Sequence, residues 1–411
     1  MRDKGRIASA TLFPTDHPLP ADAMIGREDD VDRVAMALLG GVNTVLAGPR
    51  RTGKTTVADA AIAICSGEGA YVAAVDIFHA PDAATLARRL TLQLLANRPP
   101  LRRAIADALR AGRGVLEALR TTAAYRARED LGQDIEIALE LSLAERDPQG
   151  ALLTALALAQ RLASSDERRV VLFLDEFQDV ASKRFGDRDA LTRQIRAVLQ
   201  RSPGVSVLFA GSIEHLMRDL FAPSERALSQ FGSFHELAPI TREQWTVGLR
   251  RRFELDRTTI AADALARLIE LGEGHPRATM LLAAQSHLAS IEELSHEIDN
   301  AMVVQALDRA LGAERLRHEQ QIERIRSTGR YSERLAIRVA AGSELYAGLR
   351  PEQAARALNS LRDIGVIDRG PKPGQWFLTD PLLRRYLACG LARRLDLSNG
   401  VATPEQPRGA G

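Results

Sequence analysis

The segment 48-GPRRTGKT-55 has the residue types and the spacing of a phosphate-binding loop, because it matches G-x-x-x-x-G-K-[ST] in full. It follows the apolar run 42-VNTVLA-47, which predicts a strand, and it leads into a predicted helix that starts at Lys54. Gly48 and Gly53 allow the backbone to turn its N–H groups inward at the positive end of that helix. A loop of this kind binds an anion such as a nucleotide phosphate.

Two side chains of the loop extend this prediction to a magnesium nucleotide. Lys54 can reach the β- and γ-phosphates, and the Thr55 hydroxyl can ligate Mg²⁺. The alternative is a glycine-rich turn with a surface lysine. With only four lysines in the chain, a chance match has odds of about one in a hundred. The predicted nucleotide-binding residues of the loop are Gly48, Pro49, Arg50, Arg51, Thr52, Gly53, Lys54, Thr55 and Thr56.

A second acidic element follows in 170-VVLFLDEFQDV-180, where an apolar strand pattern ends at Asp175 and Glu176. Open α/β sheets place their ligands at the carboxyl ends of the strands. We therefore expect Asp175 to hold the Mg²⁺ shell and Glu176 to polarise an attacking water. The alternative is a buried strand that ends in ordinary surface acids.

The next predicted strand, 205-VSVLFAG-211, is followed by Ser212. Because neighbouring strands of a parallel sheet end side by side, Ser212 could donate a hydrogen bond to the γ-phosphate or to the attacking water. The predicted catalytic residues are Glu176, Lys54 and Ser212.

Composition and charge exclude several other classes of protein. A chain of 411 residues is too long for one compact core, so two or three domains are expected. The net charge of +2 provides no global field toward nucleic acid or a membrane. Cys65 and Cys389 show no metal-binding spacing. Neither a signal-peptide segment nor an 18-residue apolar run is visible, so we expect a cytoplasmic protein without a membrane contact.

The order of predicted strands and helices indicates the fold class. Strands at 42–47, 71–78, 170–176, 205–211 and 234–240 alternate with helical segments, which predicts an open parallel α/β sheet. The predicted division of the chain is an irregular segment at 1–20, an α/β domain at 21–240 with a helical insertion at about 97–167, a helical lid at 241–310, a charged linker helix at 311–330, a winged-helix domain at 331–395 and a disordered tail at 396–411.

Several motifs occur together in an order that resembles one family. They are 26-GRE-28, 48-GPRRTGKT-55, 174-LDEFQDV-180, 210-AGSIEHLM-217, 274-GHPRA-278 and 379-TDPLLRRYL-387. Together they resemble the AAA+-related P-loop ATPases of the archaeal-type and STAND group, which are relatives of the origin-recognition ATPases. The resemblance covers about residues 20–395. It implies a P-loop NTPase core followed by a helical lid and a C-terminal winged helix.

The resemblance also implies roles for two further groups of residues. The segment like 25-IGRE-28 lies near the adenine in such proteins, so Ile25 and Arg27 become candidate base-pocket residues. The segment like 274-GHPR-277 closes over the nucleotide, which implies nucleotide contacts for His275, Pro276 and Arg277. The residues alone favour a simpler alternative for 272-GEGHP-276, a helix end followed by a helix that starts at proline.

Two departures from the family pattern bear on activity. The stretch at 97–167 is longer than a minimal crossover and has no assigned role. No arginine finger is evident, and Arg226 in 223-PSERAL-228 is the best-placed candidate. An ATPase without such an arginine hydrolyses slowly unless a neighbouring subunit supplies one. The chain is therefore a candidate homo-oligomer.

The C-terminal pattern at 331–387 raises the question of DNA binding. A winged helix there would present Arg356, Arg362, Arg369 and Lys372 to phosphates. The alternative is a domain that packs on the ATPase core. Trp376 is expected to be a hydrophobic anchor rather than a stacking platform.

These patterns predict an ATP-binding and ATP-hydrolysing molecular switch that uses ATP and Mg²⁺ and acts on a protein or DNA partner. The alternative is a DNA-binding regulator or loader in which the nucleotide mainly sets the conformation. A small-molecule kinase ranks third, because no acceptor pocket is evident and an adjacent Asp-Glu pair favours water as the acceptor.

Overall fold

The computed structural model describes residues 6–15, 23–48, 52–98, 147–222, 224–370 and 372–388. The chain divides into two compact units. The sheet unit lies within residues 18–238, and the helical unit combines residues 1–17 with residues 239–411. Several predictions fall outside the described residues: the loop positions Pro49, Arg50 and Arg51, most of the 97–167 stretch and the 396–411 tail.

The sheet unit is built on one five-stranded parallel sheet. Its strands are β1 (Thr44–Ala47), β2 (Tyr71–Asp76), β3 (Val170–Asp175), β4 (Val205–Gly211) and β5 (Ser233–Glu236). Their order across the sheet is β2-β3-β4-β1-β5, and every neighbouring pair is parallel. The predicted open parallel α/β sheet is confirmed.

The described residues of the helical unit contain two further strand pairs. Strands β6 (Thr259–Ile260) and β7 (Glu297–Ile298) form a short parallel pair, and β8 (Ile367–Arg369) and β9 (Trp376–Leu378) form an antiparallel hairpin. The segment 364-IGVIDRGPKPGQWFLTD-380 predicts two short strands around a Pro/Gly turn, and the hairpin confirms both strands. The sequence predicts only helices for 241–310, and β6 and β7 show that this prediction was wrong. Strands of two residues are too short to produce a period-two pattern.

Helices connect and cover these strands. In the sheet unit they are α2 (Glu28–Leu39), α3 (Lys54–Gly67), α4 (Ala83–Leu95), α5 (Pro148–Ser165), α6 (Arg188–Leu199) and α7 (Glu214–Phe221). In the helical unit they are α1 (Ser9–Leu12), α8 (Arg242–Leu255), α9 (Ala262–Gly272), α10 (Pro276–Glu292), α11 (Asn300–Ala313), α12 (Arg315–Ser327), α13 (Ser332–Ala341), α14 (Pro351–Asp363) and α15 (381–388). None of the described helices is both long and apolar enough to cross a lipid bilayer.

The core of the sheet unit consists of two apolar layers, one on each face of the sheet. Alternate residues of β3 enter opposite layers: Leu172 packs with α4 and α5, whereas Phe173 packs with α2 and α3. Because helices cover both faces, the strand has no solvent-facing side and reads as a continuous apolar run. This explains why 170-VVLFL-174 carries no polar residue.

The register of the sheet brings four strand ends to one edge. Ala47 at the end of β1 pairs with Gly211 at the end of β4. Asp76 at the end of β2 pairs with Asp175 at the end of β3. The phosphate-binding loop and the predicted acidic residues therefore follow neighbouring strand ends, at the edge where open α/β sheets bind ligands.

The C-terminal part of the helical unit has its own core. Helices α12 to α15 and the β8–β9 hairpin share one buried apolar cluster that includes Ile325, Leu358 and Leu378. The pattern at 331–387 predicts three helices followed by a hairpin. The structure has two helices, α13 and α14, before the hairpin and α15 after it. Their assignment as a winged helix remains a prediction.

The N-terminal segment departs from the irregular segment predicted at 1–20, because it contains α1 and is packed into the helical unit. Phe13 is 1% exposed and lies 4.8 Å from Phe253, ring centroid to ring centroid. Arg6 donates to the buried carboxylate of Asp256 at 2.8 Å, which also accepts from His287 Nε2 at 2.9 Å. These partners lie more than 230 residues away, so no local sequence pattern could reveal them.

Replacing Phe13 with alanine should destabilise the helical unit. The substitution leaves a cavity beside Phe253, and the loss of a buried aromatic ring costs about 3 kcal/mol of unfolding free energy. The measurement is thermal unfolding of the full chain. Leu255→Ala is the control, because Leu255 lies in the same unit but is 63% exposed. Equal melting temperatures for the two variants would contradict the packing described here.

Candidate functional site

The phosphate-binding loop joins β1 to α3, and two glycines set its shape. Gly53 has φ +94° and forms the N-cap of α3, a left-handed conformation that favours glycine. Gly48, which directly follows β1, has φ +153°. The first turn of α3 therefore presents backbone N–H groups at the carboxyl edge of the sheet, where helix polarity favours an anion.

Lys54 is the first residue of α3 and spans the loop. Its ammonium group donates to the carbonyl of Gly48 at 2.8 Å, and the residue is only 7% exposed. Lysine is rarely buried to this extent unless it is paired. The contact ties the ammonium to Gly48, directly after β1. The phosphate contact of Lys54 remains a prediction.

Thr55 and Asp175 meet across the edge of the sheet. Their side chains, Thr55 Oγ1 and Asp175 Oδ2, lie 3.4 Å apart, although 120 residues separate them. A hydroxyl and a carboxylate are hard oxygen donors of the kind that Mg²⁺ prefers. The pair therefore fits the predicted metal site, with Thr55 and Asp175 as the residues that would hold the ion.

The electrostatics of Asp175 are unusual for an aspartate. Burial, together with the neighbouring charges of Glu176 and Asp76, raises its pKa to about 6, although the Glu176 backbone N–H and the Lys54 ammonium oppose the shift. The carboxylates close to Asp175 favour the binding of a cation, whereas the Lys54 ammonium opposes it.

Glu176 follows β3 in a left-handed conformation with φ +50°, which is uncommon for a residue other than glycine. One carboxylate oxygen, Oε2, accepts three hydrogen bonds: from Gln178 Nε2 at 2.5 Å, from Ser212 Oγ at 2.7 Å and from Ser212 N at 3.2 Å. The backbone and these bonds together fix the carboxylate beside the end of β4. The structure thus brings Glu176 and Ser212 together, as the sequence predicted for neighbouring strand ends.

Close packing supports this arrangement. Phe177 is buried and packs against Phe209 with ring centroids 4.6 Å apart, which fixes the backbone directly after Glu176. Gly211 leaves room for its neighbours, since a Cβ there would lie 2.4 Å from Met217 Cγ and 2.5 Å from Gln178 Oε1. A side chain at this position would displace the amide that binds Glu176.

Two residues of the site were missed by sequence reasoning. Gln178, which was left without a role, is buried and donates to Glu176. Asp76 ends β2 in register with Asp175 and raises the pKa of that carboxyl. Asp76 had a usable signal, because 71-YVAAVD-76 ends in a carboxylate as 170-VVLFLD-175 does. Gln178 had none, because its role depends on the backbone turn at Glu176.

The two candidate base-pocket residues are buried in the sheet unit. Ile25 is apolar and buried. Arg27 uses its guanidinium for protein contacts with Thr52 O at 3.1 Å, Ala238 O at 2.7 Å and Asp30 Oδ2 at 3.0 Å. The predicted adenine contact of either residue remains a prediction.

In the helical unit, the segment 272–276 is a helix end followed by a helix start. α9 ends at Gly272, Glu273 adopts a left-handed conformation, and α10 begins at Pro276. His275 caps α10, because its Nδ1 accepts from the Ala278 N–H at 3.2 Å. The simpler alternative for these residues is confirmed, and the nucleotide contacts predicted for His275, Pro276 and Arg277 remain predictions.

The GHPR segment at 274–277 takes part in a polar network within the helical unit. Arg277 donates to both carboxylate oxygens of Glu314, at 2.7 and 2.9 Å. Arg317 donates to Asp380 at 3.1 Å. Burial raises the pKa of Asp380, but the charges of His275 and Arg317 outweigh that effect and lower it. The TDP segment, which the sequence connected to a family motif, thus faces the GHPR segment.

Several of the cations predicted for DNA binding or for an arginine finger have partners within the protein. Arg362 pairs with Asp368 at 3.1 Å, and Arg369 lies over the ring of Trp376. Arg226 pairs with Asp189 and with Asp219, each at 3.2 Å. The carboxylate partners offset part of the charge of Arg362 and Arg226. Both roles remain predictions.

Comparisons with known proteins give structural relatives only. The comparison with protein-family models gives no match, and neither does the comparison with curated proteins. A Walker-type ATPase of Pyrococcus abyssi superposes with a TM-score of 0.61 at 14% identity, covering 92% of this chain and 99% of that one. The ORC2 protein of Aeropyrum pernix, solved in ADPNP and ADP complexes, superposes with a TM-score of 0.53 at 16% identity, covering 93% and 98%.

These likenesses, together with the parallel sheet and its phosphate-binding loop, define the class. The chain has the fold of an AAA+ P-loop ATPase. The fold is shared with the ORC2 protein as well, which confirms the resemblance of the motifs at the level of the fold.

Replacing Asp175 with asparagine should stabilise the nucleotide-free protein at neutral pH. The raised pKa of about 6 means that the folded state binds a proton more tightly than the unfolded state, so this group makes stability fall as the pH rises from about 4 to 6. Asparagine removes a cost of at most about 3 kcal/mol at pH 7. The gain should disappear below about pH 4, where both states of the parent are protonated.

The measurement is denaturant unfolding between pH 3.5 and 8, without nucleotide or Mg²⁺. Asp179→Asn is the matched control, because Asp179 is a nearby acid that pairs with Arg184 at 2.9 Å. A parent and an Asp175→Asn variant of equal stability at pH 7 would contradict the assigned electrostatics.

Proposed function

We propose that this chain binds ATP with Mg²⁺ and hydrolyses it, and that the nucleotide state acts as a molecular switch. The observation that carries the proposal is that two adjacent carboxylates face different partners. Asp175 faces the Thr55 hydroxyl at 3.4 Å, whereas Glu176 is turned toward Ser212 at 2.7 Å. One acid is thus available for a metal ion and the other for a water molecule.

The residues of the loop provide the binding half of this mechanism. The N–H groups at the start of α3 bind phosphate oxygens, and the Lys54 ammonium binds the β- and γ-phosphates. Thr55 and Asp175 would hold the magnesium ion. When bound, Mg²⁺ supplies positive charge that offsets the charge of the phosphates.

The residues beyond β3 and β4 provide the hydrolytic half. Glu176 orients the attacking water and accepts its proton. Ser212 and Gln178 hold the carboxylate of Glu176 in a fixed direction. In this proposal the Ser212 hydroxyl, which follows β4, exchanges its bond to Glu176 for one to the γ-phosphate. Such an exchange would make the position of Glu176 depend on the state of the nucleotide.

The finer parts of the proposal concern regulation and partners. In this proposal the lid at 241–310 and the C-terminal domain at 331–395 respond to the nucleotide, and a protein or DNA partner detects the change. We expect slow hydrolysis by the isolated chain, since Arg226 is paired with Asp189 and Asp219 and a further arginine would have to come from a second copy.

Glu176→Gln should retain ATP binding and lose turnover. The amide keeps the size and polarity of the side chain but accepts no proton, so kcat should fall by at least about 100-fold. The measurement is the steady-state release of phosphate together with ATP affinity by calorimetry. Asp179→Asn, three residues away, should keep the kcat of the parent. Undiminished hydrolysis by Glu176→Gln would remove Glu176 from the mechanism.

Lys54→Ala should weaken ATP binding by about 100-fold, because a charge-assisted bond to phosphate is lost from a buried position. Lys183→Ala is the control, because Lys183 is one of the four lysines and is exposed. The same calorimetric titration measures both variants. An affinity within twofold of the parent would show that the loop does not bind the nucleotide.

A further inference from the structure

Arg27 is a buried arginine whose guanidinium connects three separate parts of the sheet unit. The residue is 5% exposed. One terminal nitrogen donates to Asp30 Oδ2 at 3.0 Å and to the Ala238 carbonyl at 2.7 Å, and the other donates to the Thr52 carbonyl at 3.1 Å. Burial lowers the pKa of this guanidinium, and Asp30 opposes the shift. A guanidinium group buried to this extent is costly unless acceptors are available for its N–H groups, so its partners are informative.

Two of the three partners belong to the rigid framework of the unit. Asp30 lies in the first turn of α2, and its second oxygen binds His235 Nε2 at 2.8 Å. His235 lies in β5, and Ala238 follows that strand by two residues. The guanidinium is therefore attached to α2 and to the segment that leaves β5. Two of its three attachments therefore lie outside the phosphate-binding loop.

The third partner is the loop itself, immediately before its key glycine. The carbonyl of Thr52 and the N–H of Gly53 belong to one planar peptide group and point in opposite directions. A bond that fixes the Thr52 carbonyl therefore fixes the direction of the Gly53 N–H. A Cβ at Gly53 would lie 3.9 Å from Arg27 Nε, so the guanidinium also lies directly against the turn at the N-terminus of α3.

We propose that Arg27 is a positioning residue of the phosphate-binding loop, which orients the Thr52–Gly53 peptide toward the phosphate chain of the nucleotide. The inference rests on the proposed function, since it assumes that the loop binds nucleotide phosphates. It assigns to Arg27 a contribution that is independent of the base. Arg27 therefore favours ligands that carry a phosphate chain and does not discriminate between adenine and guanine.

Arg27→Lys is the variant that tests this inference. Lysine keeps the charge and can keep the contact with Asp30, but a single ammonium cannot replace the planar fork that joins Asp30, Ala238 and Thr52. Arg33→Ala is the control, because Arg33 is an exposed arginine in α2, the helix that Arg27 precedes. The affinities of the parent and both variants are measured by calorimetry for ATP, GTP and inorganic triphosphate, each with Mg²⁺.

We expect Arg27→Lys to bind all three ligands about tenfold more weakly than the parent, with an unchanged ratio of ATP to GTP affinity. Arg33→Ala should match the parent. An unchanged affinity for triphosphate, or an altered ratio of ATP to GTP, overturns the inference and favours a base contact. A parent chain that binds none of the three ligands overturns the proposed function and the inference together.

A second measurement needs no ligand and separates positioning from general destabilisation. Hydrogen–deuterium exchange of the backbone amides at 52–55 should be faster in Arg27→Lys than in the parent, because the Thr52 carbonyl loses its partner. Exchange in the amides of β3 and β4 should stay the same. Unchanged exchange at 52–55 overturns the inference, as does faster exchange throughout the sheet unit.

Discussion

The parallel register of the central sheet is the constraint on which the whole site depends. Ala47 pairs with Gly211, and Asp76 pairs with Asp175. Each strand therefore ends at the same edge as its neighbours, and residues far apart in the chain meet there. The 3.4 Å approach of Thr55 to Asp175 and the 2.7 Å bond from Ser212 to Glu176 both follow from this register. A shift of a single residue in β3 would separate both pairs.

The site lowers the stability of the fold that contains it. Asp175 has a pKa raised to about 6 by burial and by its acidic neighbours, so its ionised form is held at a cost. Glu176 adopts a left-handed backbone at φ +50°, which is also unfavourable. The aromatic contact between Phe177 and Phe209 and the tight fit around Gly211 offset these costs. Such local conflicts are expected where a protein places its functional groups.

In the helical unit, the residues to which the family resemblance assigns nucleotide contacts already have partners within the protein. Arg277 forms a bidentate ion pair with Glu314. His275 caps α10 and lies near Asp380. A nucleotide contact by either residue would have to compete with these bonds. The C-terminal TDP segment is therefore coupled energetically to the GHPR segment, whichever partner the C-terminal domain binds.

The sequence by itself determined the elements that depend on local patterns. The phosphate-binding loop, the continuous apolar strands and the helix break at 272–276 all follow from residue type, spacing and backbone freedom within a few residues. Gly53 and Pro276 are examples, because a left-handed turn and a helix start each favour one kind of residue. The fold class followed from the order of these elements.

Only the tertiary structure decided which distant residues meet. Gln178 binds Glu176 because of one unusual backbone turn, and Arg27 reaches Thr52 and Ala238 because α2 and β5 are neighbours of the loop in space. Phe13 and Arg6 are buried by partners more than 230 residues away. Such contacts depend on packing between elements, and no periodicity within one segment encodes them.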